Sequence, residues 1–247
     1  MVETQYFQGP RGRLAYVKTA GAEPTIVWLG GFRSDMTGTK AMRLESDAAA
    51  AGRAYLRFDY SGHGASDGAF DDGCIGDWAD DAAAIVDALG GDRGILVGSS
   101  MGAWIAALLA PRLGARLAGV VFIAPAPDFT TLLMEPGFSA AERAALARDG
   151  RIERASPHDD APTIITARLI EDGRARRVLD KPLAIDAPVR ILQGSADDDV
   201  PVAHAMRLFE ALSGDDVAMT IVKGGDHRLS EPRDLDRLSA CALSVGV

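Results

Sequence analysis

The residues best placed to do covalent chemistry lie in Gly98-Ser99-Ser100-Met101-Gly102, a G-x-S-x-G pentapeptide. The apolar run Gly94-Ile95-Leu96-Val97 precedes it, and Ala103-Trp104-Ile105-Ala106-Ala107-Leu108-Leu109 follows. A strand that turns sharply into a helix holds the central serine in a strained conformation. Side chains two places before or after would then collide with the strand and the helix. The turn also aims backbone N–H groups and the positive end of a helix dipole at the charge that develops when a serine attacks a carbonyl. Ser100 is the candidate nucleophile. A glycine- and serine-rich turn gripping a phosphate is the other reading of these five residues.

A serine hydroxyl needs a base, and the base an orienting carboxylate. Downstream histidines are His158, His204 and His227. The first falls in a long excursion between strands and the second near a helix start. His227, in Gly224-Gly225-Asp226-His227 after the last strand, is the candidate base. The candidate acid is Asp197, in Gly194-Ser195-Ala196-Asp197-Asp198-Asp199-Val200-Pro201, with Asp198 as its alternative. The N–H of Met101 and that of Phe32, in the loop after an early strand, are the expected oxyanion donors. Asp59 is suited to bonding free N–H groups in the turn Tyr60–Gly68, where His63, upstream of the serine, reads as structural. Candidate substrate contacts are Trp104, Leu133, Met134 and Phe138, joined by Phe32, Met101 and Leu132. The insert residues among them could equally pack a core of their own.

Elements must carry these groups to one place. Strand-like runs are Leu14–Thr19, Thr25–Leu29, Ala54–Asp59, Gly94–Gly98, Ala118–Ala124, Val189–Gly194 and Ala218–Lys223. Several are apolar without alternation, as strands covered on both faces of a parallel sheet are. Helical periodicity marks Thr39–Ala51, Gly76–Leu89, Met101–Leu113, Ala203–Leu212 and Asp234–Leu243. The alternation predicts an α/β fold, a mostly parallel central sheet flanked by helices. Residues 126–187 are too long for a simple crossover. Helix-like stretches at Ala140–Arg148 and Thr163–Glu171 make them read as a small helical cap set into a single domain spanning 1–247.

Composition bounds the rest. The 247 residues are 47% hydrophobic, and 26 basic against 35 acidic side chains give a net charge of −9. That charge argues against nucleic acid as a partner. No apolar run reaches the roughly 18–20 residues of a membrane span, and the first residues carry no signal or transit pattern, so a cytoplasmic protein is expected. Cys74 and Cys241 lack metal-ligand spacing and read as packing residues, and neither metal nor cofactor is expected. From Phe138 to Lys181 there are 9 basic and 8 acidic residues. With Arg174, Arg176 and Arg177 clustered there, the insert is the least acidic part of the chain, which reads either as a solvated helical face or as a favourable field for an anionic substrate.

Taken together and in this order, the motifs resemble those of the α/β-hydrolase superfamily. More narrowly, Leu29–Ala41, Arg57–Gly62, Leu96–Gly102 and Asp226–Arg228 resemble a mitochondrial family of acyl-glucuronide esterases, also described as protein depalmitoylases, and its bacterial relatives. The resemblance implies a serine esterase or thioesterase with Ser100, Asp197 and His227 as its triad. The substrate would be a small molecule or an acylated protein. Gln193 departs from that family, which has a histidine before the acid-loop glycine. A peptidase or carbon–carbon bond hydrolase on the same triad, or a catalytically silent binding protein, are the alternatives.

Overall fold

The computed structural model describes residues 3–155 and 162–246, so His158 lies outside the described residues. The strands are β1 (Gln5–Gly9), β2 (Gly12–Thr19), β3 (Ala22–Leu29), β4 (Arg53–Phe58), β5 (Gly94–Ser99), β6 (Leu117–Ile123), β7 (Arg151–Arg154), β8 (Thr163–Thr166), β9 (Val189–Gly194) and β10 (Val217–Val222). Eight of them form one sheet in the order β1-β2-β4-β3-β5-β6-β9-β10. From β4 to β10 neighbours are parallel, while β2 runs antiparallel to both β1 and β4. The helices are α1 (Thr39–Ala50), α2 (Ile75–Leu89), α3 (Met101–Leu113), α4 (Ala140–Asp149), α5 (Ala167–Ala175), α6 (Val202–Ala211) and α7 (Pro232–Ser244).

Side chains that alternate along a strand feed two cores. On β3, Val27 and Leu29 face a cluster with Trp78 and Ile85 of α2 and Trp104 of α3. Ile26 and Trp28 face the other, with Leu44 of α1 and Leu238 of α7. Both faces are covered, which is why these strands lack alternation in sequence. β1 carries no such signature. It is a mostly exposed five-residue edge strand in which only Phe7 packs on the core, and periodicity passes it over.

The excursion between β6 and β9 holds a π-helical turn at Thr130–Met134, α4, the antiparallel pair β7–β8, and α5. The expected helix over Thr163–Glu171 is corrected. Thr163-Ile164-Ile165-Thr166 is a strand, because four β-branched residues pair with Arg151–Arg154, and the helix begins only at Ala167. Thr166 Oγ1 marks that boundary by accepting from Leu169 N at 3.1 Å. The insert is thus mixed α and β. It has a small core of its own, Phe138, Ile152, Ile165 and Ile170.

Asp128, fully buried, joins the start of the insert to its end. Its carboxylate accepts from Val178 N at 2.9 Å and Leu179 N at 3.0 Å. Helix α5 is held to the body by Asp172, which accepts from Gly76 N at 2.7 Å, and by Trp104 Nε1, which donates to Arg176 O at 3.2 Å.

Candidate active site

Ser100 lies between β5 and α3 with φ 55° and ψ −115°, a conformation L-residues avoid. The flanking glycines make it feasible. A Cβ at Gly98 would overlap the Gly102 carbonyl, and one at Gly102 would overlap the Leu29 carbonyl of β3. Backbone bonds from Ser100 N to Ile123 O at 2.9 Å and from Ala126 N to Ser100 O at 3.2 Å pin the turn to the end of β6.

The loops after β9 and β10 bring two more groups to it. Ser100 Oγ donates to His227 Nε2 at 3.1 Å, and His227 Nδ1 donates to Asp197 Oδ2 at 2.9 Å. A carboxylate only accepts, so the imidazole proton belongs on Nδ1 and leaves Nε2 free to take the serine proton. It is Asp197, not the exposed Asp198, that meets the histidine. Asp197 Oδ1 accepts from Asp199 N at 3.0 Å and Val200 N at 2.7 Å. Gln193, absent from the candidate residues, donates to Asp197 Oδ2 at 3.0 Å. Burial raises the Asp197 pKa, but the bonds from His227, Val200 and Gln193 outweigh it and hold the carboxyl below its usual range.

Lys40, in the first turn of α1, donates to the carbonyl of Arg228, the residue after His227. Burial lowers its pKa to about 8 against the pull of Asp226 and Asp197. Sequence reasoning gave it no role, since nothing along the chain links it to a residue 188 positions away.

The Phe32 and Met101 amides have no backbone partner among the described residues, so both can donate to an oxyanion. Gly31 brings the Phe32 loop close. A Cβ on it would stand 3.5 Å from Ser100 Cβ. Asp59 fastens that loop to the turn after β4, accepting from Met36 N at 2.6 Å and Ala65 N at 2.9 Å. His63 is a packing group. Its ring meets those of Tyr60, Phe70 and Trp78 edge-on, and burial lowers its pKa to about 4. His204 is buried too, and its Nε2 donates to Pro127 O at 2.8 Å.

The expected substrate contacts divide. Leu133 and Met134 are half-buried against the main core. Phe138 belongs instead to the insert's own core, and Trp104, fully buried, packs on Phe129 beneath α5, so in this conformation neither offers surface to a ligand. Of the two readings of the insert's arginines, the pairing favours the solvated face. Arg174 pairs with Glu135, Arg176 with Asp172 at 2.9 Å and Arg177 with Asp180 at 2.6 Å, so carboxylates offset each charge locally.

Among the described residues, Asp197, Asp199 and His227 form the one group with ligand atoms close enough for a metal, within 4.8 Å of one another. Asp197 and His227 already satisfy each other there, and the donor set reads as a proton relay. Cys74 is buried and Cys241 half-buried; they are not bonded to each other.

A parallel sheet with the serine at a strand–helix turn and the histidine on a loop after the last strand defines an α/β hydrolase. The profile of the alpha/beta hydrolase fold family matches residues 36–156, and the chain belongs to that family. It is 31% identical over 230 residues to the human protein named palmitoyl-protein thioesterase ABHD10, mitochondrial, covering 91% of this chain and 74% of that one. A solved chain from Agrobacterium vitis S4 superimposes with TM-score 0.94 at 48% identity, covering 99% of this chain and 98% of that one. Mouse alpha/beta hydrolase domain-containing protein 10 gives 0.88 at 28% identity, with 96% of each chain covered.

Proposed function

We propose that the chain is a serine hydrolase that cleaves carboxylic esters or thioesters through an acyl-enzyme on Ser100. One observation carries the reading: His227 bridges Ser100 Oγ and Asp197 through opposite ring nitrogens, at 3.1 and 2.9 Å. His227 takes the serine proton as Oγ attacks the acyl carbon, and Asp197 orients the ring and stabilises the imidazolium. The N–H groups of Phe32 and Met101 hold the oxyanion. His227 then gives its proton to the departing alcohol or thiol and activates the water that frees the acid. The same bridge suits a peptidase, but the names of the curated relatives favour a thioester. On that ground acyl-protein thioesters, palmitoyl among them, are the first substrates to test, followed by acyl glucuronides.

In this reading the chain is one domain, and the insert serves as its cap. The location is cytoplasmic. No helix among the described residues is long and apolar enough to cross a membrane, although the curated relatives are named mitochondrial, and cell fractionation separates the two. The decisive experiment compares the wild type with Ser100→Ala and His227→Ala on nitrophenyl esters and acyl thioesters. Both variants are expected to fold and to lose about 10⁴-fold or more in kcat. Full turnover by Ser100→Ala, or its labelling by a fluorophosphonate, would assign the chemistry elsewhere. A wild type silent on every activated ester would point to a binding protein.

A further inference from the structure

A cavity of about 370 Å³ opens beside the site and is not lined by Ser100, Asp197 or His227. Ser34, Asp35 and Asp71 give it polar side chains, and His63, Phe70 and Ile164 form wall. Gly31 lies close both to the nucleophile and to the lining residue Ser34. A Cβ there would stand 3.5 Å from both Ser100 Cβ and Ser34 Oγ. The volume lies within the range of small-molecule sites.

The lining sets two carboxylates, Asp35 and Asp71, beside one cation, Arg33. Thr37 N at 2.7 Å and Thr37 Oγ1 at 2.5 Å occupy one oxygen of Asp35. Asp71 belongs to an exposed turn. His63 donates from Nδ1 to Ser61 O at 3.2 Å and its Nε2 is closed off from solvent, so the ring forms wall and offers a ligand no polar partner. Arg33 closes the rim, its Nη1 lying 3.3 Å from both Pro162 O and Thr163 Oγ1. Hydroxyl groups satisfy such a lining, since they donate to the carboxylates and accept from the rim. A hydrocarbon chain would strip water from those groups and return nothing.

We infer that this cavity binds a hydroxyl-bearing acyl group. The inference rests on Ser100 being the nucleophile. The assignment to the acyl half comes from the sheet order. Most of the cavity is built by loops after β3 and β4, on the side of β5 away from β9 and β10, and Pro162 and Ile164 of the insert complete it. Asp197 and His227 come from the β9 and β10 side, and the leaving group must lie against His227 to receive its proton.

The test uses three pairs of matched substrates and two variants. Nitrophenyl 3-(3,4-dihydroxyphenyl)propanoate is compared with nitrophenyl 3-phenylpropanoate. The glyceryl and propyl esters of 3-phenylpropanoic acid carry the hydroxyls on the alcohol side instead, and nitrophenyl hexanoate and acetate measure the value of a plain chain. The wild type is expected to favour the dihydroxyphenyl substrate at least tenfold in kcat/KM. Asp71→Leu, a substitution on an exposed turn, and Ile164→Trp, which fills the cavity, should each bring that ratio close to one. Binding of free 3-(3,4-dihydroxyphenyl)propanoic acid to Ser100→Ala, read by calorimetry, should weaken in the same variants. That readout does not depend on turnover, so a wrong nucleophile and a wrong cavity give different results. A preference confined to the alcohol side, a preference for hexanoate, or a dihydroxyphenyl preference that survives both variants would overturn the inference.

Discussion

Gln193 Nε2 lies 3.0 Å from Asp197 Oδ2, the same oxygen that accepts from His227 Nδ1. The amide also reaches Val200 O at 2.9 Å and Gly194 O at 3.1 Å, and Gln193 is fully buried. Three surrounding oxygens fix which end of the amide faces them, because the flipped form would set oxygen against oxygen. Gln193→Leu is expected to cost about 1–3 kcal/mol of stability. It should also lower kcat more than it changes KM, because Asp197 loses a fixed partner. Urea denaturation and steady-state kinetics measure the two effects.

The glycines of the turn around Ser100 answer to backbone atoms, not to mobile side chains. Gly102→Ala would push a methyl group into the Leu29 carbonyl, at the end of the strand that leads to Phe32. Either α3 or β3 must shift. Gly102→Ala should therefore lose activity through a displaced Phe32 loop even where it still folds, with circular dichroism near wild type and kcat/KM down at least tenfold. A fully active Gly102→Ala would mean that α3 moves away at no cost.

Burial holds His63 neutral down to about pH 4, while in the unfolded chain it protonates near the ordinary value of about 6.5. Between those values the unfolded state binds the proton and the native state does not, so stability is complete above about pH 6.5 and falls as pH drops toward 4. The loss amounts to about 3 kcal/mol over that window. Burial lowers the His204 pKa as well, which adds loss of the same sign. Urea midpoints of the wild type and His63→Gln from pH 7 to 4 should show a clearly shallower slope for the variant.

Removing the Asp128 carboxylate leaves the Val178 and Leu179 amides without their acceptor. Asp128 also adopts φ 56°, which aspartate and asparagine tolerate better than alanine. Asp128→Ala should cost about 2–4 kcal/mol, and Asp128→Asn less. Hydrogen exchange at residues 178 and 179 should rise before exchange in the central strands does.

Much of this architecture is written locally. Continuous apolar runs mark β3, β5 and β6 because both faces of those strands are covered, and periodicity marks α1 and α2, while α3 is apolar nearly all round. Gly98 and Gly102 stand where no side chain fits, so the turn that carries Ser100 can be read from five residues and their flanks. The edge strand β1 escapes, since it is five residues long and only Phe7 packs on the core. So does the hairpin β7–β8, whose four-residue strands owe their state to each other.

What the sequence determined by itself was the kind of chemistry and the order of its parts: a serine on a strand–helix turn, then an acid loop, then a histidine after the last strand. These follow from steric limits and periodicities that act within a few residues. Which carboxylate of Asp197-Asp198-Asp199 faces His227 was left to the folded chain, because the choice depends on Gln193 and on how the acid loop folds over it. The tertiary structure also set Lys40 beneath the histidine loop, moved Phe138 into the insert's own core and paired the insert's arginines with carboxylates. Each of these is a contact between segments far apart in the chain. Residue type fixes what a side chain can do, and only packing fixes what it meets.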